Sequence, residues 1–199
     1  MVLASHIIMT CYGFWLPNDP RGSWSEFVRT WELFWFGGDA TKTDDRRSLA
    51  SDAHDHALRR ATKAQLRYEP VVFTGQQPLC VAHGFAKAVV ESGYRVSACA
   101  LMPSHAHLVV LRHKTPAERV AGHLKARATQ ALVAEGLHPF VQHRGKDGRF
   151  PSVWAHRAWK VFLNDAEGIE RAVRYVEENP VKEGKRKQVW SFVEKDFNV

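Results

Sequence analysis

The order of apolar periodicities along the chain predicts an α+β fold on the ferredoxin-like, split β-α-β plan: an antiparallel sheet with helices on one face and an insertion after the first strand. Three observations predict it. A strand-like apolar run opens the chain, and two more occupy residues 95–113. Long stretches of helical spacing stand on either side of that second pair. A last apolar run then precedes a final helix, so the order is β-α-β-β-α-β plus one helix. At 199 residues, 45% hydrophobic and 25% charged, the composition fits a single domain over 1–199, with residues 23–77 as an insertion within it.

The first strand is Ser5 to Tyr12, SHIIMTCY, closed by Gly13 and the turn-rich LPNDPRG. Residues 23–77 are the least regular stretch, with a helix expected from Ser51 to Leu66. From Pro78 onward, Leu79, Ala82, Phe85, Ala86, Val89 and Val90 follow helical spacing, and Gly93 is placed to cap that helix. RVSACALM and HAHLVVLRH form two strands around the short MPS turn. Thr115 as N-cap, Pro116 at the first helical position and Glu118 as capping-box acid open a helix to Glu135. Val120, Leu124, Ala128, Ala131 and Leu132 form its apolar face. A basic loop, HPFVQHRGKDGRFPS, leads to a last strand within SVWAHRAWKVFL. Asn164 and Glu167 cap the final helix, which is expected to stop at Glu178, because Asn179 precedes Pro180 and a residue before proline avoids the α region.

The formal net charge of +7, before any of the 11 histidines is counted, favours a polyanionic partner, nucleic acid ahead of a membrane surface. Cys11, Cys80 and Cys99 are odd in number and lack a C-x-x-C pair. That excludes a disulfide framework and a zinc ribbon, and fits buried thiols in a reducing cytoplasm. No apolar run approaches the roughly 18 residues of a membrane span, and MVLASHIIMT lacks the basic start of a signal peptide.

The densest chemistry lies in MPSHAHLVV, residues 102–110. On a strand, His105 and His107 point to the same side, roughly 7 Å apart, so both can reach one divalent cation. The competing reading is two hydrogen-bonded histidines at a strand end. His54 and His56 show how cheap the triplet is: on a helix, residues two apart diverge by roughly 200°, so these read as solvated helix residues. Position 109 is Val, not the acid of a His-x-His-x-Asp site, and there is no H-E-x-x-H, so a third ligand must come from elsewhere. In IERAVRYVEENPVK, Ile169, Ala172, Val173 and Val176 form the buried stripe, with Tyr175 and Asn179 together at its edge. The same spacing also describes a packed tyrosine followed by a capping asparagine.

MPSHAHLVV resembles the His-hydrophobe-His motif of the single-tyrosine HUH transposases, and RYVEENPVKEG resembles their tyrosine helix with its Asn-Pro-Val-Lys. The likeness is to the REP-associated tyrosine transposases and the insertion-sequence HUH enzymes. SVWAHRAWKVFLND, HLKARATQAL and YGFWLPNDPRGSW add to it. It covers the first strand and most of residues 95–193, and is poor over 23–77. The resemblance implies the ferredoxin-like fold, His105 and His107 as metal ligands, Asn179 as the third ligand and Tyr175 as the nucleophile. It further implies cleavage and rejoining of single-stranded, hairpin-bearing DNA through a 5′-phosphotyrosine, with Mg²⁺ or Mn²⁺ on the two imidazoles and the amide oxygen. REP-associated relatives point to a monomer, insertion-sequence relatives to a dimer with exchanged tyrosine helices; the monomer is favoured here.

DNA would be held by charge neutralisation and stacking. The candidates are Lys125 and Arg127 in the helix after the histidines, Arg144, Lys146 and Arg149 in the basic loop, and Arg157, Lys160 and Lys182 around the tyrosine helix, with Trp15 as the stacking ring. Charge runs of this kind also describe solvated faces. Two rival classes stand beside the transposase reading: a domesticated hairpin-binding protein without turnover, and an unrelated two-histidine metallohydrolase.

Overall fold

A computed structural model describes residues 1–44 and 49–194. In chain order the described residues form β1 (Ala4–Thr10), α1 (Trp31–Gly37), α2 (His56–Lys63), α3 (Gln77–Ser92), β2 (Val96–Leu101), β3 (His105–Leu111), α4 (Ala117–Ala134), β4 (Trp159–Leu163) and α5 (Ala166–Lys182). The chain divides into two compact units, Met1–Cys11 with Val72–Val199, and Tyr12–Val71.

The larger unit holds one antiparallel sheet in the order β2-β3-β1-β4, the ferredoxin-like order. Met102 N–H donates to His105 O at 2.8 Å, closing the tight connection between β2 and β3. Every residue of β2, and every residue of β3 after His105, is buried, so both sheet faces are covered. α3 and α4 pack together on the side of Ile7 and Val120. The opposite face of β1 to β4 carries Ala4, Ala98, Val109 and Leu111, and Ile169, Ala172 and Val176 of α5 close it. The final helix is therefore the lid of the second face.

Local chemistry explains several helix ends. Gly93 caps α3 in the left-handed conformation, φ 65°, which only glycine adopts cheaply. Gly84 sits where a Cβ would lie 2.5 Å from Ala128 Cα, so its missing side chain lets α3 and α4 touch backbone to backbone. α4 departs from expectation at its start. Pro116 is the N-cap, without a side-chain cap, and Thr115 instead donates its N–H to His113 Nδ1 at 3.0 Å. At α5 the cap is Asp165, whose carboxylate accepts Gly168 N–H at 2.7 Å, rather than Asn164.

The expected stop at Glu178 is overturned, because α5 runs through Pro180 to Lys182. A proline inside a helix forfeits one backbone hydrogen bond. Here Pro180 is buried, and the chain recovers bonds just beyond it: Glu183 N–H donates to Asn179 O at 3.3 Å and Lys185 N–H to Pro180 O at 2.8 Å. Packing outweighs the local preference. The segment after α5 then runs along the open edge of β2. Gln188 brackets Leu101, accepting its N–H and donating to its O, both at 2.7 Å, and Glu194 N–H donates to Val96 O at 2.8 Å. This blunts an edge that would otherwise present unpaired backbone.

In the smaller unit, α1 and α2 pack together, and Asn18 Nδ2 donates to Leu33 O at 2.7 Å. Asp19, nearly inaccessible, pairs with Arg21 and Arg59. The helix expected over Ser51–Leu66 is shorter. Asp55 is its N-cap, accepting Leu58 N–H at 2.8 Å, so His54 lies outside it. The helical argument for separating His54 from His56 therefore fails, and their rings meet with centroids 4.0 Å apart. Cys11, Cys80 and Cys99 are free and buried. Among the described residues no helix is long and apolar enough to cross a membrane.

Candidate functional site

Alternation along β3 sends His105 and His107 to the face covered by α5. Their ring centroids lie 4.9 Å apart at 77°. His107 is 4% exposed and faces Ile8 of β1 and Ala100 of β2 in the sheet register. Burial lowers the pKa of both imidazoles, His107 well below the usual histidine range, with the charges of His105 and His6 adding to the effect. For His105, Glu183 opposes the shift and Lys185 reinforces it. Both shifts favour the neutral form that ligates cations.

α5 brings the tyrosine to the pair. Its buried stripe faces the sheet, and Tyr175, next to buried Val176, sits at the rim, 41% exposed. The Tyr175 ring stands edge-on to His107 with centroids 5.7 Å apart, and Lys182 Nζ lies 5.5 Å from its centre. Asn179, one turn on, is half-buried, and its Nδ2 is buried without a hydrogen-bond partner. A half-turn of the amide presents Oδ1 at that position instead.

Two neutral imidazoles on one face and an unsatisfied buried amide are the right donor types for a hard or borderline divalent cation. In donor chemistry, these residues match the implied metal. No group of three or more His, Cys, Asp or Glu side chains among the described residues is arranged to hold one, and the expected set, two imidazoles and an amide, is not of that kind.

One residue of the cluster escapes a reading of the sequence. His6, on β1, places Nε2 3.0 Å from His107 Nδ1, and its ring lies edge-on to Tyr175 with centroids 5.8 Å apart. It is 7% exposed, and burial pulls its pKa down to about 4. The available signal was an imidazole in the middle of an apolar central strand, ASHIIMT.

The basic candidates divide by exposure. Arg144, Lys146, Arg149 and Arg157 are exposed, although Arg144 Nε donates to Gly148 O and Arg149 lies 3.8 Å from Asp147. Lys182 is exposed and pairs with Glu178 at 2.9 Å. Arg127 pairs with Glu91 at 2.7 Å, and Lys160 with Glu118. Lys125 donates to Ala155 O and Arg157 O, both at 2.9 Å, and burial pulls its ammonium down to about 8. In the smaller unit, Trp15 donates Nε1–H to Gly22 O, and the Arg21 guanidinium covers its ring at 3.9 Å. Lys125 and Trp15 thus have structural work of their own.

No protein-family model matches the chain. No curated protein matches it. Among solved structures, one described as a REP-associated tyrosine transposase bound to a REP hairpin is similar to this chain. It has 15% identity and a TM-score of 0.48 over 96% of this chain and 74% of its own.

Proposed function

We propose that the chain is a metal-dependent, single-tyrosine nuclease and strand transferase acting on single-stranded, hairpin-bearing DNA. The observation that carries this reading is the half-exposed Tyr175 phenol standing edge-on to the buried His107 of the His105–His107 pair. A nucleophile next to two neutral nitrogen ligands, on a basic protein, suits phosphodiester chemistry.

Tyr175 Oη attacks the scissile phosphorus. The new bond joins tyrosine oxygen to the 5′ phosphate while the P–O3′ bond breaks, and the departing 3′ oxygen takes up a proton as the phenol loses one. Attack by a 3′-hydroxyl on the phosphotyrosine reverses these changes and rejoins DNA, so bond energy is conserved without a nucleotide. His105, His107 and Asn179 would hold Mg²⁺ or Mn²⁺, which supplies charge neutralisation at the non-bridging oxygens. Exposed Lys146, Arg149 and Arg157 neutralise backbone phosphates, and Lys182, with Nζ 5.5 Å from the centre of the Tyr175 ring, adds a cation beside the nucleophile. The sequence likeness to HUH transposases points the same way.

The test is incubation of a hairpin-bearing single-stranded DNA library with Mn²⁺ and protein, followed by sequencing of DNA covalently attached to the chain. Wild type yields an adduct that maps to Tyr175, and Tyr175→Phe yields none while retaining DNA affinity. Retention of DNA without any adduct would return the chain to the non-cleaving class. Cleavage that survives Tyr175→Phe would make it a metallohydrolase.

A further inference from the structure

We propose that His6 is a positioning residue for the metal-binding pair: its Nε2 accepts the Nδ1–H of His107 and so leaves the Nε2 lone pair of His107 for the cation. The inference rests on the metal site proposed above. It arises from the register of the central strands. β1 and β3 pair His6 with Val109 and Ile8 with His107, so His6 and His107 are diagonal neighbours on the face covered by α5. Their facing nitrogens lie 3.0 Å apart, with ring centroids 5.2 Å apart and planes tilted by 32°.

A neutral imidazole has one donor and one acceptor nitrogen. A hydrogen bond between the two rings therefore fixes both tautomers together. If His107 donates from Nδ1, its Nε2 is a lone pair; if it accepts there, Nε2 carries the proton and cannot ligate. Metal-ligating histidines are commonly oriented through the second nitrogen in this way, and removal of the partner weakens metal binding about 10- to 100-fold. A buried position on a central strand favours an apolar side chain, and an imidazole there is costly unless its polar atoms are used. His6 also lies edge-on to Tyr175, so one side chain touches both the ligand and the nucleophile rings.

The variants separate accepting from filling space. His6→Phe keeps a ring of similar bulk and removes the acceptor. His6→Gln places an amide atom near the position of Nε2. Two readouts apply to DNA-free protein: Mn²⁺ affinity by titration calorimetry, and the His107 tautomer by long-range ¹H–¹⁵N correlation without metal. The expected result is an Nδ1–H His107 in wild type, about 10- to 100-fold weaker Mn²⁺ binding in His6→Phe, and recovery of most of that loss in His6→Gln. An Nε2–H His107 in the wild type overturns the proposal, and needs no variant to fold. So does unchanged Mn²⁺ affinity in folded His6→Phe, or an equal loss in both variants. Wild-type protein that binds no Mn²⁺ while showing the Nδ1–H tautomer overturns the metal site itself, and leaves the His6–His107 hydrogen bond standing.

Discussion

The Tyr175 ring and the His107 imidazole meet edge-on with centroids 5.7 Å apart, although one belongs to a helix and the other to a central strand. Nothing local joins them. Their distance follows from how α5 docks on the sheet, through Ile169, Ala172 and Val176. The candidate site is thus a by-product of the second-face core, and damage to that core should reach the chemistry.

Ile169 is fully buried in that core. Ile169→Ala is expected to cost about 2–5 kcal/mol, the usual range for truncating a buried isoleucine. Urea denaturation monitored by circular dichroism measures it. A cost below about 1 kcal/mol, under that range, would mean that α5 is not fixed by this stripe.

The helix pair on the other face depends on an absence of bulk. A methyl at Gly84 would meet the α4 backbone at Ala128 Cα, 2.5 Å away, and a backbone cannot swing aside as a side-chain tip can. Gly84→Ala is expected to destabilise the fold by about 1–3 kcal/mol through overpacking, despite alanine's better helix propensity. The midpoint of thermal unfolding should fall; a rise would refute the close approach.

Packing of this kind decides which parts of the molecule were legible in the sequence. MPSHAHLVV could be placed because a turn, a period of two and two imidazoles coincide within a few residues. Gly93 could be placed because a left-handed cap has few alternatives. His6 could not, since it stands in an apolar run and its tie to His107 exists only through the β1–β3 register. The run of α5 through Pro180 was hidden for a similar reason: a burial decided far away in the chain overrides the preference of the residue before proline. α1, WELFWFG, has no side-chain cap and is rich in aromatics with weak helix propensity, so it left no periodic signature.

Acid should act on the smaller unit through Asp19. Burial alone would raise its pKa, but the hydrogen bonds and charge of Arg21, with the charge of Arg59, more than offset this and hold the carboxyl below its ordinary value. A carboxyl depressed in the folded state is ionised there at pH values where the unfolded chain is already protonated. Its stabilisation is full above the unfolded pKa, about 4, and is lost as pH falls through the folded value. Asp19→Asn should remove that acid dependence and, by taking the carboxylate from the buried Arg21 guanidinium and from partly exposed Arg59, cost about 3–5 kcal/mol at neutral pH. Tryptophan fluorescence reports it, because Arg21 also stacks on Trp15 at 3.9 Å.

Lys125 and the exposed residues of the basic loop should separate cleanly in a salt titration. The Lys125 ammonium is half-buried and committed to two backbone carbonyls, those of Ala155 and Arg157, which ties α4 to the segment before β4. Lys125→Met removes both bonds and leaves the carbonyls to find other donors, at about 1–3 kcal/mol. With its ammonium held by those carbonyls, Lys125 is expected to neutralise no phosphate, so the slope of log affinity against log salt for single-stranded DNA should not change. Lys146 and Arg149 are exposed; under the proposed function, replacing either with alanine should flatten that slope by about 0.7 while leaving thermal stability nearly unchanged. A flatter slope in Lys125→Met, with Lys146→Ala and Arg149→Ala silent, would move the DNA path from the loop to α4.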